Sequence, residues 1–446
     1  MANTRPRVLI ALIAAALLGF QGIAFSQSLP PVTPVPPASS GAQLPAVAPQ
    51  SQSTVTNEPN LVYGLQGVLV ETADGRTVST QAPDQTFNPA SAVKLATALV
   101  ALQNLGPQHR FTTGFWTDGT FDPTLGQING NLYVTGRDPS FHFEHAVMIA
   151  RKLNGMGIRI VTGDLIIAPG FTMNFGASAR RSGEELYDTL DSSRRSVEAA
   201  RAWTYERTTL GDKASLQSSP SVAVMGEVGV GTVAPRARLL LSHKSSKLTD
   251  VLKVLLCYSN NFMAERIGES LGGKEAVERQ LSSKLKIPED EFQLASLSGL
   301  GVNRVTPRAM MKIFRSLRTE LQKYRLTPAD IMPVAGIDPG TLEDRFTGPA
   351  WQGSVIAKTG TLIRTDGGAS SLVGQMKTAT GEVLLFVIFN QRGSVVRFRQ
   401  NQDFMVMQIQ NSRGGPRPFK YSPLILTMKL ADTENTSGDT ANPTAN

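Results

Sequence analysis

A proline-rich segment near the amino terminus limits the part of this chain that can fold. Seven prolines stand between positions 30 and 49, and the rest of residues 27–59 is rich in Ser, Ala and Gln. Proline lacks the backbone donor that helices and interior strands need, so we expect an extended linker here. Residues 431–446 are rich in Thr, Asn and Asp without apolar periodicity, so we expect a disordered tail. Folding is thereby confined to about residues 60–430.

Residues 1–26 have the three parts of an export signal. Arg5 and Arg7 supply the positive charge, residues 8–20 are uncharged and apolar, and residues 24–26 form a small-residue cleavage site. The alternative is an uncleaved membrane anchor, although the apolar run is short for the about 20 residues that a span needs. We expect cleavage, with membrane attachment only if the segment is retained. Either way, we expect the remainder in the periplasm or another extracytoplasmic compartment.

The composition is that of a folded protein with little reason to bind nucleic acid. Of 446 residues, 41% are hydrophobic and 18% are charged, which excludes a disordered chain. The formal net charge is +8, but no basic run is long enough to indicate a nucleic-acid surface. Cys257 is the only cysteine, so an intramolecular disulfide and a cysteine-based zinc site are excluded. We expect Cys257 to be a buried free thiol.

Hydrophobic periodicity predicts both helices and strands across the folded part. Pro89 stands just before a helical segment, a common position for proline at a helix start. Residues 180–207 carry opposite charges at helical spacing, as on a solvated helix face. The other predicted elements are strands at 66–71, 110–119, 126–136, 163–167 and 381–390, and helices at 91–102, 143–153 and 248–271.

Ser91 and Lys94 form the first of three motifs that carry chemistry. They lie three residues apart at the start of a predicted helix, so both side chains share one helix face. A serine hydroxyl is a weak nucleophile until a nearby base takes its proton. A lysine can act as that base only if burial or another cation lowers its pKa, and Lys358 is a candidate for that cation.

The other two motifs lie farther along the chain. Residues 259–261 read Ser-Asn-Asn within the predicted helix 248–271, and residues 358–361 read Lys-Thr-Gly-Thr after an apolar, strand-like run. Each motif alone is common and usually marks a solvent-facing helix or a turn. The three together, in this order and each in a fitting context, match the signature of penicillin-interacting serine enzymes.

The chain resembles the low-molecular-mass class C penicillin-binding proteins, a family of D-alanyl-D-alanine carboxypeptidases and endopeptidases. The resemblance covers residues 60–172 and 236–395 well, and the block 173–235 poorly. Besides the three motifs, it rests on the sequence around the first serine and on five further stretches. These lie at 87–91, 130–136, 163–166, 259–265, 303–307 and 333–338.

The resemblance implies a serine D,D-peptidase that works through an acyl-enzyme. Ser91 would attack the carbonyl between two D-amino acids of a peptidoglycan stem peptide, and Lys94 would act as its base. Ser259 would relay a proton to the leaving amine, and Asn261 would position substrate amide groups. Penicillins and other β-lactams would acylate the same serine and leave slowly.

The resemblance also implies substrate-binding roles for the last motif. Lys358 and Thr359 would bind the terminal carboxylate of the substrate, and Gly360 belongs to the same substrate-binding strand. The backbone N–H groups of Ser91 and Thr361 would form the oxyanion hole, which stabilises the tetrahedral intermediate. Peptidoglycan stem peptides and β-lactams are therefore the expected partners, and no cofactor is implied.

The implied fold class is α/β (α+β): a β-lactamase/transpeptidase-like fold in which a central antiparallel sheet is flanked by helices. We expect a catalytic domain split into residues 60–110 and 236–430 by an inserted domain at 111–235. Only 168 residues separate the first two motif serines, Ser91 and Ser259, so we expect an insert that is reduced relative to the family.

Two local departures from the family pattern lie near the motifs. Residues 296–300 read Ser-Leu-Ser-Gly-Leu, where the family has Asp-Gly-Ser-Gly-Leu. Residues 363–368 indicate a longer or altered hairpin turn after the Lys-Thr-Gly-Thr motif. These departures bear on substrate choice and rate more than on the class of reaction.

Two other functions and a metal site fit the sequence less well. A β-lactamase would share Ser91 and Lys94, but the sequence has no Glu-x-x-Leu-Asn stretch to position a second base for deacylation. A non-catalytic envelope-binding protein could retain the fold, although all motif residues are intact. His142 and His145 do not match the zinc-peptidase patterns, so we expect surface histidines and no metal.

Overall fold

The computed structural model of this chain describes residues 64–209, 219–426 and 430–438. The predicted export signal (1–26) and linker (27–59) lie outside these residues. The strands are, in chain order, β1 (Leu65–Thr72), β2 (Thr77–Gln81), β3 (Thr112–Thr117), β4 (Thr120–Asp122), β5 (Gln127–Asn129), β6 (Leu132–Gly136), β7 (Ile160–Val161), β8 (Leu165–Ile167), β9 (Ala223–Val224), β10 (Val228–Val230), β11 (Arg238–Lys244), β12 (Phe292–Gln293), β13 (Arg304–Val305), β14 (Val355–Leu362), β15 (Ala369–Lys377), β16 (Val383–Gln391) and β17 (Glu434–Ser437).

The helices surround these strands, and short 3-10 helices cover Ala90–Val93, Glu289–Glu291, Pro328–Asp330 and Thr365–Gly367. The α-helices are, in chain order, α1 (Lys94–Leu105), α2 (Phe143–Gly155), α3 (Ala179–Leu190), α4 (Val197–Thr209), α5 (Leu248–Tyr258), α6 (Asn261–Ser270), α7 (Lys274–Leu285), α8 (Pro307–Lys323) and α9 (Val395–Asn411).

The central sheet has antiparallel strands in the order β14-β15-β16-β1-β2. The middle strand β16 is apolar almost throughout because both faces of the sheet are covered. Leu385 and Val387 enter one hydrophobic cluster, and the alternating residues Leu384 and Phe386 enter another on the opposite face. At the sheet edge, no strand of the described residues pairs with the outer side of β14 from Lys358 onward.

Helix α1 lies in the middle of the core beside this sheet. Every residue from Lys94 to Leu102 is buried, which confirms the helix predicted at 91–102 from its fourth residue onward. Its first turn, Ala90–Val93, is a 3-10 helix instead. Helix α8 packs against α1 and begins where the Thr306 side chain accepts a hydrogen bond from the backbone N–H of Ala309.

The single helix predicted over 248–271 is wrong. The chain forms α5 and then α6, because Ser259 has a φ angle of 57° in the left-handed region and ends the first helix. Asn260 caps the second helix, and its side chain accepts a hydrogen bond from the N–H of Met263 at 2.9 Å. The apolar spacing continues across the break, so periodicity alone does not reveal it.

A second sheet is built from chain that lies between β2 and β14 of the central sheet, together with β17, which follows the central sheet. Its strand order is β10-β8-β6-β3-β11-β17, and it packs on a separate hydrophobic cluster that includes Phe115 and Leu165. The strands β3 to β10 come from the predicted insert 111–235. Strand β11 pairs with them although we expected the catalytic part to resume at 236. The two-domain division itself stays a prediction.

The predicted disordered tail, 431–446, is ordered in its described part, 431–438. Strand β17 pairs antiparallel with β11, and the side chains of Asn435 and His243 hydrogen-bond at 2.8 Å. The predicted disorder is wrong for these residues because the free edge of β11 supplies hydrogen-bond partners for their backbone. Their polar composition does not prevent this pairing. Residues 439–446 lie outside the described ones.

His142 and His145 stand at the start of α2 and are not free surface histidines. The Nδ1 atom of His145 accepts a hydrogen bond from the backbone N–H of His142 at 2.9 Å. The Nε2 atom of His145 lies 3.0 Å from the backbone oxygen of Leu430, and the residue is buried. Across the described residues, no three His, Cys, Asp or Glu side chains are grouped as a metal ion would require.

Candidate active site

Ser91 stands in the 3-10 turn that leads into α1. The residue before it, Ala90, has a φ angle of 47°, a left-handed backbone that is unfavourable for alanine. The turn is held from one side by Ser371 Oγ, which donates a hydrogen bond to Pro89 O at 2.7 Å. From the other side, Gly299 approaches so closely that an added Cβ would lie 2.8 Å from Ser91 N. Ser91 itself is half-buried at the start of the helix.

Lys94 lies one turn later and is fully buried. Its Nζ atom lies 2.9 Å from Ser91 Oγ, 2.7 Å from Asn261 Oδ1 and 2.5 Å from the backbone oxygen of Ser298. A neutral amine has two N–H donors and one lone pair. The amide oxygen and the carbonyl can only accept, so they fit the two donors and leave the lone pair for the Ser91 hydroxyl.

The surroundings of Lys94 favour the neutral amine. Burial lowers the pKa of Lys94 well below its usual value of 10.5, and the positive charge of Lys358 lowers it further. The carboxylate of Glu265 acts in the opposite direction and raises the pKa. Lys358 is therefore the cation that we expected from the sequence. Lys94 has the lowered pKa that a base requires.

The break between α5 and α6 directs Ser259 and Asn261 towards two different lysines. Ser259 Oγ accepts a hydrogen bond from Lys358 Nζ at 2.8 Å, and Asn261 Oδ1 accepts one from Lys94. In a continuous helix, residues two apart point about 200° from each other around the axis. The left-handed residue removes that constraint and lets one short segment serve both lysines.

Lys358 lies on the edge strand β14 with its side chain fully buried. Besides its contact with Ser259, its Nζ atom donates a hydrogen bond to the backbone oxygen of Thr359 at 2.6 Å. Burial lowers the pKa of Lys358 to about 7. Both protonation states are therefore accessible near neutral pH, as a group that gives and regains a proton requires.

Gly360 lets β14 lie against the turn that carries Ser91. A Cβ atom added at Gly360 would lie 2.2 Å from Ser371 Oγ and 2.6 Å from Pro89 O, closer than real Cβ atoms come, and 3.0 Å from Ala90 Cβ. Thr361 follows along the edge, and its hydroxyl accepts a hydrogen bond from Arg399 Nη2 at 2.8 Å. The eight residues predicted from the three motifs are thus gathered around the two lysines and the start of α1.

The unusual hairpin at 363–368 braces the site. Asp366 accepts a hydrogen bond from Asn88 Nδ2 at 2.7 Å and forms a two-point ion pair with Arg304, at 2.8 and 2.9 Å. Hydrogen bonding from Arg304 holds the pKa of Asp366 below its usual value. The hairpin tip is therefore tied both to the segment before Ser91 and to β13.

Cys257 is a buried free thiol, as predicted. Burial raises the pKa of Cys257 to about 12, so the thiol is not a nucleophile at neutral pH. Beside it, Lys253 and Asp338 form a fully buried ion pair at 2.6 Å. This pair fixes α5 against the chain that precedes β14, just before Ser259 ends the helix.

Sequence reasoning missed two contributors to the site. Glu265 accepts a hydrogen bond from the N–H of Ser298 at 2.8 Å and so holds the carbonyl that contacts Lys94. Arg399 reaches Thr361 from α9, 38 residues later in the chain. The Glu265 position lies within a stretch that carried the family resemblance, whereas no signal in the sequence marks Arg399.

Comparison with known proteins identifies the family. The sequence profile of the D-Ala-D-Ala carboxypeptidase 3 (S13) family matches residues 49–174 and 196–411. Between the two matched ranges, residues 175–195 are unmatched, and they lie inside the block 173–235 that we expected to resemble the family poorly. The rest of that block from 196 onward is matched. A D-alanyl-D-alanine carboxypeptidase of Actinomadura sp. (strain R39) is 25% identical over 455 residues, 79% of this chain and 82% of that protein.

Solved structures share the fold. A predatory endopeptidase from Bdellovibrio bacteriovorus is 24% identical with a TM-score of 0.68, covering 82% of this chain and 97% of that one. Penicillin binding protein 4 from Haemophilus influenzae is 22% identical with a TM-score of 0.57, covering 77% and 96%. The predicted transpeptidase-like fold is confirmed. The chain belongs to the D-Ala-D-Ala carboxypeptidase 3 (S13) family and is a serine-type D-Ala-D-Ala peptidase.

Proposed function

We propose that Ser91 is the nucleophile and Lys94 its base in hydrolysis of the peptide bond before a carboxyl-terminal D-alanine. The observation that carries this assignment is the contact between Lys94 Nζ and Ser91 Oγ at 2.9 Å, with two acceptors on the other side of the amine. As Ser91 Oγ bonds to the carbonyl carbon, its proton passes to Lys94. The geometry and the lowered pKa of Lys94 both support this direction of transfer.

Ser259 and Lys358 supply the proton for the leaving group. When the carbon–nitrogen bond breaks, the departing amine takes the hydroxyl proton of Ser259, which regains one from the Lys358 ammonium. Water then attacks the Ser91 ester, and its proton restores Lys358 through Ser259. The proton held by Lys94 returns to Ser91 Oγ as the ester breaks. The contact of 2.8 Å between Lys358 Nζ and Ser259 Oγ supports this relay.

Backbone donors stabilise the negative charge on the carbonyl oxygen. The N–H groups of Ser91 and Thr361 form the oxyanion hole, and loss of one such donor typically costs about 10²–10³-fold in rate. Lys358 and Thr359 bind the substrate carboxylate, and Asn261 positions the peptide. The close packing of Gly360 on the turn before Ser91 supports this assignment, because it brings β14 beside the nucleophile.

The substrate is the D-alanine-containing stem peptide of peptidoglycan, outside the cytoplasm. The curated relatives are named carboxypeptidases, and the Bdellovibrio relative is named a peptidoglycan endopeptidase, so trimming and cross-link cleavage are both proposed. β-Lactams acylate the same serine, as in the penicillin G-acylated form of that relative. None of the helices in residues 64–209, 219–426 and 430–438 is long and apolar enough to cross a membrane.

The hydrogen bonds that Glu265 already accepts disfavour the β-lactamase alternative. This is the carboxylate whose charge acts on Lys94, and it already accepts hydrogen bonds from the N–H groups of Leu297 and Ser298. It holds a loop and is not free to activate a deacylating water. Slow release of a β-lactam is therefore expected.

Release of D-alanine from an N-acylated tripeptide ending in D-Ala-D-Ala tests the proposal. The wild-type protein should release it, and S91A should not. S193A, which alters an exposed serine hydrogen-bonded only within its own turn, is the matched control and should retain activity. Release by S91A at the wild-type rate would contradict the assignment of the nucleophile.

A further inference from the structure

A cavity of about 200 Å³ lies between α8 and the central sheet, apart from the candidate active site. Arg318 on α8 contributes to its lining, and so do Ile356 on β14 and Gln375 on β15, which stand opposite each other in the strand register. None of the residues of the three sequence motifs lines this cavity. Whatever it binds is therefore held by different side chains from those that surround Ser91.

Gln375 gives the cavity a buried acceptor that the protein leaves unused. Only 4% of the residue is exposed, and no group among the described residues donates a hydrogen bond to its Oε1 atom. Buried polar atoms in folded proteins almost always have a hydrogen-bond partner. The missing donor for Gln375 must therefore come from water or from a ligand.

Arg318 adds a cation without a counter-ion. Its Nε atom is buried and has no hydrogen-bond partner, and across residues 64–209, 219–426 and 430–438 no carboxylate lies within 4.0 Å of its guanidinium. Arg315, one turn earlier on α8, is already paired with Glu71. Burial and the charge of Arg315 lower the pKa of Arg318. Lys420, which also contributes to the lining, adds a second positive charge, so the cavity favours an anion.

The remaining lining and the volume limit the size of that anion. Ile356, Val383 and Phe419 form an apolar part of the wall. One water takes up about 30 Å³ in the liquid, so the cavity has room for several waters or for one small molecule. A fitting molecule combines a negative charge for Arg318, a donor for Gln375 and a short apolar part.

We propose that this cavity binds a small carboxylate that carries an N–H or O–H donor on the neighbouring carbon. The carboxylate accepts hydrogen bonds from Arg318, because a planar guanidinium matches two carboxylate oxygens. The neighbouring donor satisfies Gln375 Oε1, and a short alkyl group lies against the apolar wall. α-Hydroxy acids and α-amino acids share this chemistry. The site does not depend on the proposed function, since it uses none of the proposed catalytic residues.

A series of small probes tests the two polar contacts on the wild-type protein. The probes are L-lactate, L-alanine, propionate, which lacks the donor, and lactamide, which lacks the carboxylate. Dissociation constants are measured by ligand-detected NMR titration. Propionate and lactamide should each bind about tenfold more weakly than the better of the two acids, because each leaves one buried group unsatisfied. The ratio of L-lactate to L-alanine affinity tells which of the two acids is preferred.

Two variants locate the binding in this cavity. R318Q should bind L-lactate and L-alanine no more tightly than the wild-type protein binds lactamide. Q375M removes the acceptor at nearly constant length, so the preference of the better acid over propionate should disappear. R308Q is the matched control, since Arg308 lies on the same helix in an exposed pair with Asp84, and it should bind as the wild-type protein does.

Three results would overturn the proposal. Affinities unchanged in R318Q would place the ligand elsewhere, and equal binding of propionate and both acids would remove the role of Gln375. Absence of binding by either acid at about 10 mM would mean that the cavity holds only water. The probe series needs no variant, so it decides the matter even if R318Q or Q375M fails to fold.

Discussion

Lys358 lowers the pKa of Lys94, although the two amines hydrogen-bond to different serine hydroxyls. Lys94 contacts Ser91 and Lys358 contacts Ser259, so each lysine has a hydroxyl of its own. In the proposed reaction, one lysine must be neutral while the other is charged. Their mutual repulsion favours that combination, because a proton on Lys358 makes a second proton on Lys94 less stable.

Removing the charge of Lys358 and removing the charge of Glu265 should shift the pKa of Lys94 in opposite directions. Acylation by penicillin requires neutral Lys94, so its rate rises as pH increases through the pKa of Lys94. K358M removes a cation and should raise that pKa, which moves the rising limb to higher pH. E265Q removes a carboxylate that raises the pKa, so the limb should move to lower pH.

The pH dependence of the acylation rate constant checks this prediction. E269Q is the matched control, since Glu269 lies on the same helix in an exposed pair with Arg266. Its profile should coincide with that of the wild-type protein. Shifts of K358M and E265Q in the same direction would contradict the electrostatic account.

Turnover of the peptide should decline as pH rises through about 7. The folded-state pKa of Lys358 is about 7, and the proposed relay needs its ammonium form, which is lost as pH rises through that value. K358R keeps its charge at every pH used, because arginine does not deprotonate below about pH 12. The decline should therefore disappear in K358R, even if its maximal rate is lower. If turnover of K358R declined with pH as in the wild-type protein, the decline would come from another group than Lys358.

G360A should slow acylation about 10²-fold without unfolding the protein. The added methyl would meet Pro89 O at 2.6 Å, which forces β14 away from the turn that carries Ser91. A displacement of about 1 Å at reacting groups can cost about 10²-fold in rate. G155A is the control, since nothing lies within 4 Å of a Cβ atom at Gly155. The measurements are the penicillin acylation rates and melting temperatures of both variants. G360A should acylate more slowly than G155A while both remain folded.

D338N should strongly destabilise the fold. Asp338 is fully buried, accepts hydrogen bonds from Lys253 Nζ at 2.6 Å and Tyr421 Oη at 2.6 Å, and has no access to water. Removing one partner of such a pair leaves a buried charge and typically costs about 3–5 kcal/mol. D84N breaks the exposed pair with Arg308 and should cost less than about 1 kcal/mol. Denaturant unfolding that shows equal costs would contradict this ranking.

The sequence predicted the reactive groups better than the connections between them. Ser91 and Lys94 could be placed one turn apart because the distance between them is local, and the apolar residues around them define a helix. The family signature then indicated that Lys358 joins them. This interpretation is confirmed at the level of family, fold and reaction class, while the individual residue roles remain proposals.

What could not be predicted depends on backbone conformation or on distant partners. A left-handed φ at Ser259 leaves the apolar spacing of the two flanking helices unchanged, so it has no periodic signal. Strand β17 forms from Glu, Asn, Thr and Ser because β11 offers an unpaired edge. Arg399 approaches Thr361 only after α9 has packed on the sheet, which no local pattern encodes.

Intact mass after mixing with a penicillin tests the central claim most directly. The account predicts a long-lived adduct of one penicillin per chain on the wild-type protein, located on Ser91 by peptide mapping. S91A should form no adduct, and S259A should form it more slowly, since Ser259 acts on the leaving group. An adduct of equal yield on S91A, or none on the folded wild-type protein, would contradict the assignment of Ser91 as the acylated nucleophile.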